Sequence, residues 1–467
     1  MTHYDVAIVG AGPAGMSSAI EISQAGFTAL LLDDQPAPGG QIYRSIENAH
    51  TDRLDILGPD YAEGKRLVAE FRSSSTTYIP NATVWNVSRD LTLAYTREGV
   101  SHGISADALI VASGAIERPT PMPGWTLPGV MTVGALQILL KAHGLLADAV
   151  VLVGSGPLIW LLAAQMIKAG AKPSAIVETL PLSHYFKALP KLRFNRPAFS
   201  YLKKGLLMMR SVKAAGVPVF LGAQGVAIEG SSRAEAVSFE IRGRMHRLPA
   251  ETVALHQGIV PNQQITRLLH CDHRWSESQR SFLPVSDCFG ETSVANLYIA
   301  GDGAGIGGAK VAAMQGRLAA LRILEKASAV QNTATSELLA EIEKEISIRP
   351  FLEELYLPSA EIRDPKENTI VCRCEEITAG EVRASLASGV PGPNQIKSLL
   401  RTGMGPCQGR FCGLALSEIA AQYLGKTPAS VGYYRIRAPL KPLRLTELAN
   451  MGEAEVPQAP VKQELQK

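Results

Sequence analysis

The sequence predicts an α/β protein built from two Rossmann-like strand-turn-helix units in series, followed by a small helical module that carries most of the cysteines. Three observations predict it. A glycine-rich turn, Gly10-Ala11-Gly12-Pro13-Ala14-Gly15, follows the first apolar run. A glycine pair at Gly154 and Gly156 follows another, and four of the six cysteines stand at Cys372, Cys374, Cys407 and Cys412. With 467 residues and 46% apolar side chains the chain can bury more than one core, and such a length suggests roughly two to three domains.

Charge excludes some partners. The 46 basic and 43 acidic residues are well mixed and leave a net charge of +3, which gives no nucleic-acid signature. The most membrane-like segment, Ala149 to Ile167, is uncharged and long enough to span a bilayer. Gly154-Ser155-Gly156-Pro157 interrupts it, so it reads as strand, turn and helix, with no transmembrane segment. The start, MTHYDVAIVGAG, lacks a basic leader and a small-residue cleavage site, so no secretory signal is expected. In a reducing cytoplasm, the default compartment, a cysteine cluster binds metal or acts in catalysis more often than it forms disulfides.

The first unit runs from a strand at Tyr4 to Val9, through the turn and a helix at Met16 to Ala25, to a strand at Thr28 to Leu32 that ends at Asp33. In a dinucleotide site Gly10 permits the tight turn, Gly12 lets the backbone approach a pyrophosphate, and Gly15 lets helix and strand pack. Pro13 and Ala14 open the helix whose N-terminus faces the phosphate. Asp33 is placed to accept from the adenosine ribose. In the second unit, Ala149 to Glu178, the first two glycines and a terminal acid are present, but Ile159 occupies the third glycine position. That glycine serves packing more than phosphate approach, so the unit remains Rossmann-like while its ligand stays open between a nicotinamide nucleotide and an empty or repurposed site.

Two further signals connect these units. Ala108 to Pro119 is a strand entering the small-residue turn Ala112-Ser113-Gly114, and Leu297 to Gly316 is a strand opening into Gly301-Asp302 and a helix. In this order, the four signals resemble the two-dinucleotide-domain flavoproteins related to glutathione reductase, over roughly residues 1 to 325. The resemblance implies FAD in the first site, with Asp302 holding the ribityl chain and the following helix pointing at the flavin. Disulfide reductases of that group carry a close redox pair. Here residues 1 to 325 hold only Cys271 and Cys288, with sixteen residues between them, which read as small buried residues, so dithiol chemistry is not expected.

The four remaining cysteines are spaced C-x-C, 32 residues, C-x4-C. Ligand rules allow zinc or an iron-sulfur cluster, and the tight first pair, with Gly403, Gly405, Gly409 and Gly413 around the second, favours [2Fe-2S]. CRCEEIT followed by GMGPCQGRFC then resembles the bacterioferritin-associated ferredoxin type of [2Fe-2S] domain, which implies the ligands Cys372, Cys374, Cys407 and Cys412.

The combination with PAPGGQIYR, which contains Gly40, Gln41 and Arg44, resembles the A (α) subunits of opine oxidases, hydrogen cyanide synthase and hydroxyproline dehydrogenases. More distantly it resembles the α subunits of heterotetrameric sarcosine oxidase and archaeal proline dehydrogenase. The resemblance implies oxidation of a C–N bond beside a carboxylate, in an opine such as octopine or nopaline, D-hydroxyproline, or glycine. It also implies a β-type flavoprotein partner, in some relatives a small third subunit, FMN at the interface, and NAD or ATP as alternatives in the nucleotide sites. Location is expected in the cytoplasm or peripherally at the inner face of the membrane. An NAD(P)H-dependent reductase is the alternative reading.

The boundaries expected are 1–145 with 271–325 for the FAD domain, 146–270 for the second unit, 326–367 for a helical linker, 368–425 for the cluster domain and 426–467 for a partly disordered extension. The basic stretch His184 to Arg210 reads as a solvated segment, or as a contact surface for a partner or an FMN phosphate. His143 and His256, near motif edges, read as structural. No catalytic base is legible.

Overall fold

The computed structural model describes residues 1–193, 195–328 and 334–451. The first apolar run becomes a central strand, Thr2–Val9, between Ala29–Leu32 and Val100–Val111 and parallel to both. Thr77–Ile79 extends the sheet on one side, and Leu297–Ile299 pairs in parallel with the end of Val100–Val111 on the other. Strands covered on both faces need apolar side chains throughout, and Val6, Ala7, Ile8 and Leu30 to Leu32 are fully buried. The early part of Val100–Val111 instead pairs antiparallel with Thr92–Arg97, and that strand with Thr83–Val87, completing seven strands. Val9, Val111 and Ile299 thus end side by side, at the sheet edge where α/β proteins bind ligands.

The segment Ala149 to Ile167 forms the strand Val150–Ser155 and the helix Pro157–Lys168. Among the described residues no helix is long and apolar enough to cross a membrane. The second sheet is parallel, in the order Val219–Leu221, Ala175–Glu178, Val150–Ser155, Thr252–Gln257, Val130–Thr132. Its last strand precedes residue 146, so this sheet draws on chain from both sides of that position. Ala115–Glu117 and Ile259–Pro261 pair antiparallel between the two units.

The polar linker forms the helices Ala334–Ile346, Arg349–Leu355 and Ala360–Arg363. Its Ile348, Phe351 and Leu355 bury themselves against Leu180, Ala188 and Ala198. In the C-terminal module a reciprocal capping box, Thr378 with Glu381, starts the helix Ala379–Ala387, and a later helix runs Cys412–Tyr423. This module has no separate interior. Val371, Cys412, Leu416 and Tyr434 share one continuous core with Leu30, Leu93, Leu109 and Leu297 of the first sheet. Backbone and side chain bonds reinforce the seam: Trp125 Nε1 donates to the Ile370 carbonyl at 2.7 Å and the Leu440 N–H to the Trp85 carbonyl at 2.8 Å. Lys441 pairs with Asp34. The extension is therefore packed through these residues, and its tail beyond residue 451 lies outside the described residues.

Candidate nucleotide and cysteine sites

The three turns singled out in the sequence meet at the end of the first sheet. A Cβ added at Gly10 would stand 2.4 Å from the Ala112 carbonyl oxygen, and one at Gly15 would stand 1.9 Å from the Gly10 carbonyl oxygen. Those two glycines answer to the protein's own packing. At Gly12 the nearest atom is the Gly40 Cα at 4.0 Å. The bare backbone at Gly12 is therefore open to something other than this chain's own atoms, as an approaching pyrophosphate requires. Gly12 caps the helix Pro13–Gln24 with no side-chain bond to its first N–H groups, which leaves them for an anion.

The other expected residues surround this opening. Gly40 lies against Gly12, with φ +58° and no room for a side chain. Gly301 touches Ala14, and Gly303 lies beside Gly114. Ser113 Oγ donates to the Asn262 carbonyl at 3.3 Å, and the Asn262 N–H donates to the Gly114 carbonyl at 3.0 Å. Asp302 Oδ1 accepts from the N–H groups of Gly307 and Gly308, both at 2.8 Å, and its other oxygen has no partner among the described residues. Asp33 accepts from the Ala11 N–H and, at 2.7 Å, from the Gln35 N–H, and burial pushes its carboxyl up. Arg44 donates to Gln35 and Gln41. A residue the motifs did not show, Lys141, reaches the Gln41 carbonyl at 3.1 Å from a buried position, where burial pulls its ammonium down to about 7.

The second unit is arranged differently. The ring of His256 lies under its glycine turn, 2.8 Å from where a Cβ at Gly156 would be, and a Cβ at Gly154 would strike the His256 carbonyl at 1.8 Å. His256 Nδ1 contacts Glu117 Oε1 at 2.5 Å, and Glu117 Oε2 accepts from the Gly134 N–H at 2.8 Å. His256 is thus a buried structural link, whereas His143 is exposed at the end of its helix. Glu178, at the strand end where a ribose would be read, is 2% exposed, and burial pushes its carboxyl up to about 7. Its field reaches Tyr185 and Tyr356, the second of these on the linker. Ser359, also on the linker, donates its N–H to Gln257 Oε1 at 3.2 Å.

The four cysteines converge as two pairs. A hydrogen bond from Cys412 holds the Cys372 thiol down to about 6, helped by the N–H groups of Gly403, Glu375 and Cys374. Cys374 and Cys407 form the other pair. Tyr434 Oη is 3.6 Å from Cys412 Sγ. The glycines between them make room as well as exposing amides: a Cβ at Gly405 would stand 2.2 Å from Cys374 Cβ, and one at Gly403 2.7 Å from the Tyr434 ring. Among the described residues no three His, Cys, Asp or Glu side chains gather around one ion. Four thiols in two pairs can hold the two irons of a [2Fe-2S] cluster, two to each.

Of the remaining cysteines, Cys271 is buried with its sulfur 3.7 Å from Thr292 Oγ1. The expectation that Cys288 is also buried is corrected: it is exposed, in a surface turn where Asp287 accepts from the N–H groups of Phe289 and Glu291. In the basic stretch Lys191 pairs with Glu354 and Lys204 with Asp60, while Phe186, Phe199, Leu206 and Leu207 are exposed. Phe194 lies outside the described residues.

Residues 4–316 match the family described as pyridine nucleotide-disulphide oxidoreductase, and residues 370–422 match the BFD-like [2Fe-2S] binding domain. The A (α) subunit of the opine oxidase of Rhizobium meliloti is 44% identical over 96% of this chain and 88% of its own length. The chain belongs to the family of opine oxidase A (α) subunits. The corresponding opine oxidase subunit of Agrobacterium tumefaciens (strain Ach5) is 42% identical over 96% of this chain and 92% of its own. Hydrogen cyanide synthase subunit HcnB of Pseudomonas protegens, at 30% identity over 93% of this chain and 95% of its own, is a further relative. Among solved structures, L-proline dehydrogenase from P. horikoshii shares the fold with a TM-score of 0.70, at 18% identity, covering 96% of this chain and 79% of that one. Membership of these families makes the chain part of an oxidoreductase with flavin and [2Fe-2S] cofactors.

Proposed function

We propose that this chain is the flavin and iron-sulfur subunit of a heteromeric dehydrogenase or oxidase acting on the C–N bond of an amino-acid-type amine. The class of substrate is an opine such as octopine or nopaline, with D-hydroxyproline and glycine as the other members. The observation that carries the reading is the seam between the two sites: Asn262 holds the Ser113-Gly114 turn, and two residues on, Gln264 Nε2 donates to the Gln408 carbonyl at 3.2 Å, next to Cys407. One chain thus joins a nucleotide cradle to a thiol loop through a short run of residues and a part-buried contact.

FAD is assigned to the first site, with Gly10, Gly12 and Gly15 forming the turn, Pro13 and Ala14 presenting the helix N-terminus, Asp33 taking the ribose and Asp302 the ribityl chain. Gly40, Gln41, Arg44, Ala112, Ser113, Gly114 and Gly301 enclose it. Cys372, Cys374, Cys407 and Cys412 are assigned as the ligands of the [2Fe-2S] cluster. When bound, a flavin accepts two electrons and releases them singly, and the cluster carries one at a time. The shared core would hold the two at a fixed spacing.

The second unit is assigned no nucleotide. Tyr185 and Tyr356 pack with Leu180 just beyond Glu178, Ser359 bonds Gln257 at the neighbouring strand end, and His256 fills the Gly156 turn. This weighs against the NAD(P)H-dependent reading. Amine oxidation is assigned to a second flavoprotein subunit, with FMN between the two and the exposed apolar and basic side chains of His184 to Arg210 as the contact surface.

The test is to purify the chain with and without its co-expressed partner and to follow dye reduction by octopine, nopaline, D-hydroxyproline, glycine and NADH. Turnover of an amine only by the complex is expected. Comparable amine turnover by the isolated chain, or efficient reduction by NADH, would overturn the reading.

A further inference from the structure

Between the nucleotide cradle and the thiol loop lies a small cavity of about 20 Å³, lined in part by Asn262, Gln264, Arg267, Arg410 and Tyr433. Arg267 enters it from the helix Gln264–Leu268, just after the turn that holds Gly114. Its Nε donates to Gln263 Oε1 at 2.8 Å, but Nη2 is sealed from solvent with no partner. No carboxylate pairs with it among the described residues. The guanidinium packs over two rings that meet edge-on, 4.8 Å from the centroid of Phe282 and 4.2 Å from that of Tyr433. Burial pulls it down to about 10, so it remains a cation at neutral pH. The neighbouring His273 does not share the charge: burial and Arg267 drive its imidazole to about 3.

A buried cation without an anion is costly unless something supplies the opposite charge. The thiol loop lies on the far side of the Tyr433 ring. Tyr433 Oη donates to the Gly409 carbonyl at 3.3 Å, and the ring packs edge-on against Tyr434, whose hydroxyl reaches Cys412. Arg410, on the loop itself, donates to the carbonyls of Cys407 and Leu440, and its charge also acts on Cys407. A cluster with four thiolate ligands is anionic when oxidised and gains one more negative charge when reduced. A cation buried against Tyr433, whose hydroxyl is bonded to the loop at Gly409, favours that gain, and a buried charge is screened less than one at the surface.

We propose that Arg267, a residue of the flavoprotein part, sets the reduction potential of the cluster in the neighbouring module and so draws electrons from the flavin side to it. The step is the gain of one electron by the oxidised cluster, one ferric iron becoming ferrous, with no bond made or broken and the electron supplied by reduced flavin. Arg267 acts as a positioning charge and not as a ligand. The inference rests on the cluster assignment made above.

The experiment is a redox titration of the full chain, followed by visible absorbance and by EPR of the reduced cluster, for the wild type and four variants. Iron and sulfide analysis of the wild type tests the cluster assignment separately. Arg267→Gln and Arg267→Met should both shift the cluster midpoint to lower potential. Arg267→Lys should keep it near the wild-type value. Arg274→Gln, which removes an exposed cation nearby, should leave it unmoved because solvent screens that charge. Two neutral variants are made so that a folding failure in one leaves the other to decide. A purely structural Arg267 would lower thermal stability without moving the potential. Wild-type midpoints in a cluster-loaded Gln or Met variant would overturn the proposal, as would an equal shift in the Lys variant.

Discussion

Glu418 meets Arg280 across the seam between the cysteine module and the first domain: Glu418 Oε1 accepts from Nε at 3.1 Å and from Nη2 at 2.9 Å. Arg118 stands behind them, fully enclosed, donating to the carbonyls of Gln279 at 2.7 Å and Arg280 at 3.1 Å. Arg363 adds a third cation near the same carboxylate. Replacing Glu418 by Gln leaves Arg280 with only the exposed Glu277 and removes the carboxylate facing the buried Arg118, and breaking a buried pair in this way costs about 3 kcal/mol. Urea unfolding should show that loss, with the module cut earlier than the rest in limited proteolysis. Wild-type stability in the Gln variant would mean that the carboxylate does not hold the seam.

Gly12 and Gly15 should behave oppositely. Gly12→Ala adds a methyl group that meets only Gly40 Cα at 4.0 Å, so the chain should fold with near wild-type thermal stability yet lose flavin on gel filtration. Gly15→Ala drives a methyl to within 1.9 Å of the Gly10 carbonyl oxygen and should destabilise the fold by about 1–3 kcal/mol, as overpacking does. Full flavin content in the Gly12 variant would remove the pyrophosphate from that position.

Cys407→Ser should abolish the [2Fe-2S] absorbance while most flavin remains bound, because the nucleotide cradle contributes no atom to the thiol pairs. Serine at Cys271 or Cys288 should leave the cluster intact. Cluster loss from either of those changes, or zinc in place of iron in the purified chain, contradicts the ligand set.

Glu178 makes stability depend on pH. Its carboxyl is raised from 4.5 to about 7 by burial, so the native state binds the extra proton between those values and the unfolded state does not. Stability is therefore greatest at the acid end of this window and falls as pH rises through about 7, by roughly 3 kcal/mol over the window. Glu178→Gln, neutral at every pH, should be more stable than wild type at pH 8, with the gap closing toward pH 5. An equal gap at both pH values in denaturant titrations would show that the side chain titrates normally.

The turns at Gly10, Ala112 and Gly301 were legible because each depends on a short run of residues at a strand end, where local conformation and side-chain size are written consecutively. The same holds for Cys372 with Cys374 and for Cys407 with Cys412. What was not legible is non-local. No spacing shows that Tyr356 and Ser359 of a polar linker turn back onto the strand ends at Glu178, or that Glu117 grips His256 beneath the second glycine turn. Cys288 was misread because small apolar character predicts burial only where the chain is packed, and Asp287 holds it in a surface turn. Asn262 had a signal, the strand-to-turn run Gly258-Ile259-Val260-Pro261-Asn262, but Arg267 had none: only the folded seam encloses it.

The single core that runs from Leu109 of the first sheet to Leu416 of the cysteine module also determines how electrons can leave. A carrier tethered by a loose arm can visit donor and acceptor in turn, but one whose interior is continuous with its host stays where it folded. Cys372 and Cys412 face inward, and Cys374 is exposed beside the likewise exposed Met404 and Phe411. If the cluster sits on these four cysteines as proposed, an acceptor would have to come to that rim, and its size and shape, more than any movement of this chain, would decide what is reduced.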